Sequence, residues 1–224
     1  MKPFDYVIQQ CLIHANEKEA PLMKAYMKNK FDFFGIKAPF RKVIVKSLKD
    51  LYGLKIPDSS FWELIYELWA NNHRECQYIA IDLLQPIAKK LTPDHLSILE
   101  NMIKTKSWWD TVDVIAPALV GEILKKHPEY KIKYIYRWMN EKNVWLQRSS
   151  IIFQLKYGSS TDWDLLTESI LKNDTSKEFF IRKAQGWALR QYSKYEPVKV
   201  KDFVEANPQL SNLTKKEALR NLFH

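Results

Sequence analysis

The chain is poor in glycine and cysteine, with 5 Gly and 2 Cys in 224 residues. Few glycines and few alternating apolar–polar runs, beside many Leu, Ile, Lys and Glu, argue for a mostly helical protein. Cys11 and Cys76 form no CxxC pair and fit a reducing compartment with small buried thiols. The five histidines are scattered at 14, 73, 95, 127 and 224, with no HExxH motif or Cys/His cluster, so no metal site is expected. A Walker loop, a GxGxxG turn and a GxSxG elbow are all missing. Nucleotide-dependent and hydrolase-elbow chemistry therefore lack support, and no cofactor is expected. No apolar run is long enough to span a bilayer, and residues 1–16 lack the charged and apolar regions of a signal peptide. The expected setting is cytoplasmic, with no membrane partner.

What is abundant is positive charge: 35 Lys+Arg against 26 Asp+Glu, a net charge of +9. An excess of this size points to a polyanion, most simply nucleic acid. Aromatic surface is also generous, with 8 Trp and 11 Tyr. The length suits one domain over residues 1–224 with a sizeable core, and the short linkers mark no boundary.

Helical periodicity predicts helices over 4–12, 20–27, 40–51 and 61–69, the last opened by a break at Pro57-Asp58-Ser59. Between the second and third lies a turn in which Gly35 takes positive φ and Pro39 starts the next helix. Further helices are expected over 73–88, 94–103 (capped by Thr92), 107–126 (capped by Ser107, running through Pro117), 128–140 and 143–157 (capped by Asn143). The series continues with 163–171 (capped by Thr161), 177–192 (capped by Ser176), a helix opened by Pro197, and a last one with a Thr214/Glu217 capping box. The second helices of successive pairs start near His73, Ser107, Asn143 and Ser176, at intervals of 34, 36 and 33 residues. That period predicts an all-α fold, an α-α superhelix of HEAT-like repeats.

The stretch Ser107-Trp108-Trp109-Asp110-Thr111-Val112-Asp113 carries the chemistry. Trp109 and Asp113 lie four apart and share one helix face, while Trp108 and Val112 turn toward a core stripe with Ile115 and Leu119. An aromatic plane beside a carboxylate suits a transition state carrying positive charge. Two core tryptophans and a solvated or capping acid would give the same seven residues. The repeat period adds a test: 35 residues beyond Asp113 is Arg148, 35 further is Lys183, and Trp187 lies four beyond that. Trp109, Asp113, Arg148 and Trp187 should therefore share one face. Arg148, Lys156, Arg182, Lys183 and Arg190 form a set of cations suited to backbone phosphates, or to a solvated face.

Together, the segments Ser107–Asp113, Asn143-Val-Trp-Leu-Gln-Arg148, Phe153–Tyr157 and Ser176–Ile181 through Trp187 resemble the AlkD family of bacterial alkylpurine DNA glycosylases, which are built from HEAT-like repeats. Met27–Phe31 and Gly35-Ile36 resemble the family's N-terminal segment, and the likeness extends over nearly the whole chain. The chain departs from the family at Lys37-Ala38, where polar residues are frequent and the opposite DNA strand is met. The resemblance implies that Asp113 is the catalytic carboxylate, that Trp109 and Trp187 bracket the damaged nucleotide, and that Arg148 contacts DNA. It further implies a monomer that excises cationic N3- and N7-alkylated purines from double-stranded DNA without flipping them into a deep pocket. A solenoid that binds DNA without cleaving it, and a protein-binding scaffold, are the other classes. Neither needs a carboxylate between aromatics.

Overall fold

The computed structural model describes residues 1–53 and 58–221. Pro57, expected as a helix break, and His224 lie outside the described residues. Helices dominate, and among the described residues the β structure amounts to one isolated bridge, between Asp32 and His73. The fold is all-α, as the periodicity predicts. No described helix is long and apolar enough to cross a membrane. The helices fall into two compact units, residues 1–90 and 91–224.

The first unit contains α1 (Pro3–Ile13), α2 (Glu19–Tyr26), α3 (Ala38–Tyr52), α4 (Ser59–Ala70) and α5 (Arg74–Leu84). Its core joins Val7, Leu48, Phe61, Ile65, Leu68, Ile79 and Leu83. The turn before α3 has Gly35 at φ +86°, where a Cβ would lie 2.2 Å from the Asn16 carbonyl oxygen. That turn is held by the buried Glu75, whose carboxylate accepts from the backbone N–H of Phe34, Gly35 and Ile36 at 3.1, 2.9 and 3.0 Å. Three amide donors offset the desolvation of that charge. Cys11 and Cys76 are fully buried, and burial pushes the Cys11 thiol up to about 12 and the Cys76 thiol up as well. Helix α5 stops at Leu84 rather than near Ala88, and a 3₁₀ segment follows (Gln85–Lys90). Pro86 is the reason, since it has no N–H to give to the preceding turn.

The second unit opens with a 3₁₀ turn (Pro93–His95), capped by Thr92, and α6 (Leu96–Lys104). Helix α7 (Trp109–Ile115) continues through a π-helical turn (Ala116–Val120) at Pro117 into α8 (Gly121–Lys126). Next come α9 (Arg137–Asn140), α10 (Val144–Ile152), α11 (Trp163–Leu171), α12 (Phe179–Tyr192), α13 (Pro197–Ala206) and α14 (Asn212–Ala218). Buried Val112, Ile115, Leu119, Ile151, Ile152, Leu166, Ile181 and Leu189 are among its core residues.

Several expected boundaries move by one or a few residues. Ser107 donates its Oγ back to the Ile103 carbonyl at 2.7 Å, closing α6, so that extended Trp108 takes the cap position of α7. Asp162 caps α11 in place of Thr161, whose hydroxyl donates to the Gly158 carbonyl. Glu178 precedes α12 in place of Ser176. Helix α10 ends at Ile152, short of Tyr157, whose hydroxyl donates to the Gly121 carbonyl. Ser211, not Thr214, caps α14, and Glu217 does not serve its cap. Once these shifts are made, α5, α7, α10 and α12 begin at Arg74, Trp109, Val144 and Phe179, 35 residues apart each time.

Close approach of α12 to α14 depends on Gly186. A Cβ there would lie 2.4 Å from the Glu217 Cβ and 2.8 Å from the Thr214 carbonyl oxygen. Gly186→Ala should therefore force the helices apart and destabilise the fold by about 1–3 kcal/mol despite alanine's better helix propensity. Urea unfolding measures this, and a stabilised variant would show that the approach is not tight.

Candidate active site

Asp113 and Arg148 each occupy the fifth position of a repeat helix, so the 35-residue period sets them side by side on α7 and α10. The guanidinium grips the carboxylate with both edges: Nε donates to Oδ1 and Nη2 to Oδ2, each at 2.7 Å. Its remaining Nη1 donates to the Phe180 carbonyl at the start of α12. One arginine thus ties three repeat helices to one point. Its side chain is only 4% exposed, while that of Asp113 is 17% exposed.

Below this pair is an aromatic cluster. The Trp108 ring meets Trp145 and Phe180 at centroid distances of 5.5 and 5.0 Å, and Trp145 meets Phe180 at 5.0 Å. Trp108 therefore belongs to the packed support, as its place on the core stripe predicts. Trp109, one residue on, lines a cleft of about 260 Å³ together with Asp113, Arg148, Phe179, Phe180, Lys183, Trp187 and Arg190. Lys183, Trp187 and Arg190 are spaced i, i+4, i+7 on α12 and so share its cleft face. Another cavity, near Ile151, Leu155, Leu166 and Tyr192, holds only about 10 Å³, room for one water.

The expected quartet of Trp109, Asp113, Arg148 and Trp187 does converge on one cleft. The expected cations divide. Lys183 and Arg190 line the cleft, but both are bonded to Glu217 of α14, at 2.6 and 2.7 Å. Arg148 lines it from a buried position, committed to Asp113. Arg182 donates Nε to the Ser176 carbonyl at 2.7 Å and holds the entry of α12. Lys156 is exposed, in the turn after α10, and is not a lining residue of the cleft. Two lining residues, Phe179 and Phe180, carry no expectation from the sequence, and Glu217, expected in a cap, instead pairs with two lining cations. The signal for Glu217 was its place 34 residues after Lys183, one short of the repeat, which its resemblance to a capping box hid.

Electrostatically, Asp113 stands between opposing influences. Burial, the largest, pushes its pKa above the ordinary 3.8; the bonds and charge of Arg148 pull it back; and Asp110 nearby pushes it up again. The net shift is upward: the surroundings disfavour the charged carboxylate, and Arg148 is the group that counters them. Both oxygens keep a second lone-pair direction that Arg148 does not use. What the arrangement offers is a fixed anion at a cleft between aromatic walls, with a cationic wall opposite. It suits a cation that develops or arrives there.

These features define a class: an all-α helical-repeat protein with a carboxylate held inside an aromatic and cationic cleft. The chain belongs to the DNA alkylation repair enzyme family, whose model matches residues 7–222. Among solved structures it is similar to a "Predicted DNA alkylation repair enzyme from Enterococcus faecalis", 32% identical, with a TM-score of 0.85 over 94% of this chain and 97% of that one. No curated protein matches it significantly. Membership implies a part in the repair of alkylated DNA.

Arg148→Gln should raise the Asp113 pKa further, because burial and Asp110 persist while the lowering cation is lost. NMR titration of ¹³C-labelled aspartate carboxyls measures the shift. A pKa that stays put or falls would mean that Arg148 does not govern the charge of Asp113.

Proposed function

We propose that this protein is a monofunctional DNA glycosylase of the AlkD type, a monomer of HEAT-like repeats in the cytoplasm. It removes cationic N3- and N7-alkylated purines, such as 3-methyladenine and 7-methylguanine, from duplex DNA at the start of base excision repair. The reading rests on one observation above all: Asp113 is fixed by Arg148 at a cleft that Trp109 and Trp187 also line. Neither a metal nor a cofactor enters the reaction.

The chemistry follows from charge. An alkylated purine is already positive, so it leaves with the electron pair of its C1′–N bond and becomes neutral without a proton from an acid. Positive charge passes to the sugar as an oxocarbenium. Asp113 faces that charge and accepts a hydrogen bond from the water that adds to C1′. Trp109 and Trp187 offer the negative faces of their rings to the same cation. The products are the free base and an abasic sugar carrying the water's hydroxyl, with the second water proton passed to solvent. An open cleft of about 260 Å³ suits a nucleotide met at the duplex surface rather than one extruded into a deep pocket.

Asp113→Asn should slow release of 7-methylguanine by about 10²–10³-fold, the size of comparable electrostatic deletions. Binding should not weaken, since phosphate contacts carry it and the uncompensated Arg148 charge can only add to them. The variant leaves the buried Arg148 cation unneutralised, a loss on the order of 3–5 kcal/mol, so single-turnover rates belong well below its melting temperature. Asp110→Asn is the control and should be mild. Near-normal release by Asp113→Asn, or equal losses in both variants, would remove Asp113 from the mechanism.

Lys156 is an exposed cation with no ion pair among the described residues, which suits a phosphate contact. Lys156→Ala should weaken duplex binding and flatten its salt dependence by about one unit of log–log slope. A slope equal to the wild type would make Lys156 a solubilising charge.

A further inference from the structure

Glu217 brings a negative charge to the cationic side of the cleft. Its side chain is 10% exposed, and its two oxygens take Lys183 Nζ at 2.6 Å and Arg190 Nη1 at 2.7 Å. The Lys183 bond foremost, with the charges of Lys183, Arg190 and Arg220, holds the Glu217 carboxyl below the usual range against the effect of burial. Arg220 does not line the cleft; of the bonded groups there, the cations Lys183 and Arg190 and the anion Glu217 leave this wall a single positive charge, while Asp113 and Arg148 cancel one another.

Helix α14 has other means of docking. Ser211 caps it, accepting from the Thr214 N–H at 3.1 Å. Thr214 Oγ1 donates to the Arg182 carbonyl at 3.1 Å, tying α14 to α12. Ala218 is fully buried in the core. The charge of Glu217 is thus not required to place the helix, yet it sits on the two cations that the cleft exposes.

We propose that Glu217 is a specificity-determining residue: by cancelling one of the two cations on the α12 wall, it leaves one positive charge for one backbone phosphate and keeps the cleft from repelling a cationic base. This rests on the glycosylase reading above. Two uncompensated cations would tighten the hold on any DNA, damaged or not. They would also disfavour the positively charged nucleotide relative to its neutral parent. Selectivity is the difference between those two affinities, so a buried anion that lowers general affinity raises discrimination.

The test is duplex binding, measured across a salt series with two oligonucleotides of the same sequence. One carries 7-methyl-2′-fluoro-2′-deoxyguanosine, which keeps the cationic base while its fluorine disfavours the oxocarbenium and blocks release. The other carries guanine. Glu217→Gln keeps the shape and removes the charge. It should steepen the salt slope on the guanine duplex by about one. It should also lower the preference for the cationic duplex about tenfold, the scale of one unbalanced charge in a partly shielded site. Lys183→Met with Glu217→Gln restores a single net charge through Arg190 and should return both quantities toward wild type. Lys183→Met alone makes the wall neutral, so it should flatten the slope and raise the preference; this arm does not depend on the folding of the Glu217 variant. A folded Glu217→Gln protein with unchanged slope and preference, a double variant that restores neither, or a Lys183→Met protein with lowered preference would overturn the proposal. A wild type that releases no 7-methylguanine from the unfluorinated methylated duplex would instead contradict the glycosylase reading, and the charge balance would still be judged on the guanine duplex.

Discussion

The bidentate contact between Arg148 and Asp113 is the constraint on which the second unit's site depends. It joins α7 to α10 through two 2.7 Å bonds, and the third arm of the same guanidinium reaches the Phe180 carbonyl at the start of α12. The pair is nearly sealed on the arginine side and open on the carboxylate side. A buried ion pair contributes little net stability over an apolar substitute, but losing one partner is costly. Its use here is geometric. It holds an anion that burial disfavours, aims it into the cleft, and registers three helices against each other.

That constraint comes from the repeat. Starts spaced 35 residues apart place equivalent positions of successive helices next to each other, so a carboxylate in one repeat finds a cation in the next. The same logic recurs one step on, where Lys183 meets Glu217, 34 residues away. Both contacts link neighbouring helices, the second one residue short of the first's spacing, but in one the arginine is committed to the carboxylate and in the other the carboxylate is committed to the cations. The cleft accordingly has an anionic focus at Asp113 and a cationic wall along α12.

Much of this was legible in the sequence. The helical class follows from scarce glycine and from apolar spacing, and the shared face of Trp109, Asp113, Arg148 and Trp187 follows from the period. Helix ends were less legible, because side chains that are good caps in isolation had nearer partners: Ser107 closes α6, and Thr161 closes a 3₁₀ turn. The ion pairing of the cations was less legible still. Counting Arg148, Lys183 and Arg190 as phosphate ligands treats each as solvent-facing, whereas their carboxylate partners lie 35, 34 and 27 residues away and only the packed helices bring them together. Glu217 shows the point most plainly, since its local sequence fits a cap and its tertiary position fits a counter-ion.

The account's central claim is cleavage of the glycosidic bond of a cationic purine, and the most direct measurement is product analysis. The wild-type protein would be incubated with a duplex containing one 7-methylguanine, and the mixture analysed by mass spectrometry of both the small-molecule fraction and the DNA. The account predicts free 7-methylguanine in solution and a duplex carrying one abasic site, with no guanine released from an undamaged duplex. An intact duplex, or one in which the methyl group has been removed and guanine restored, would contradict it.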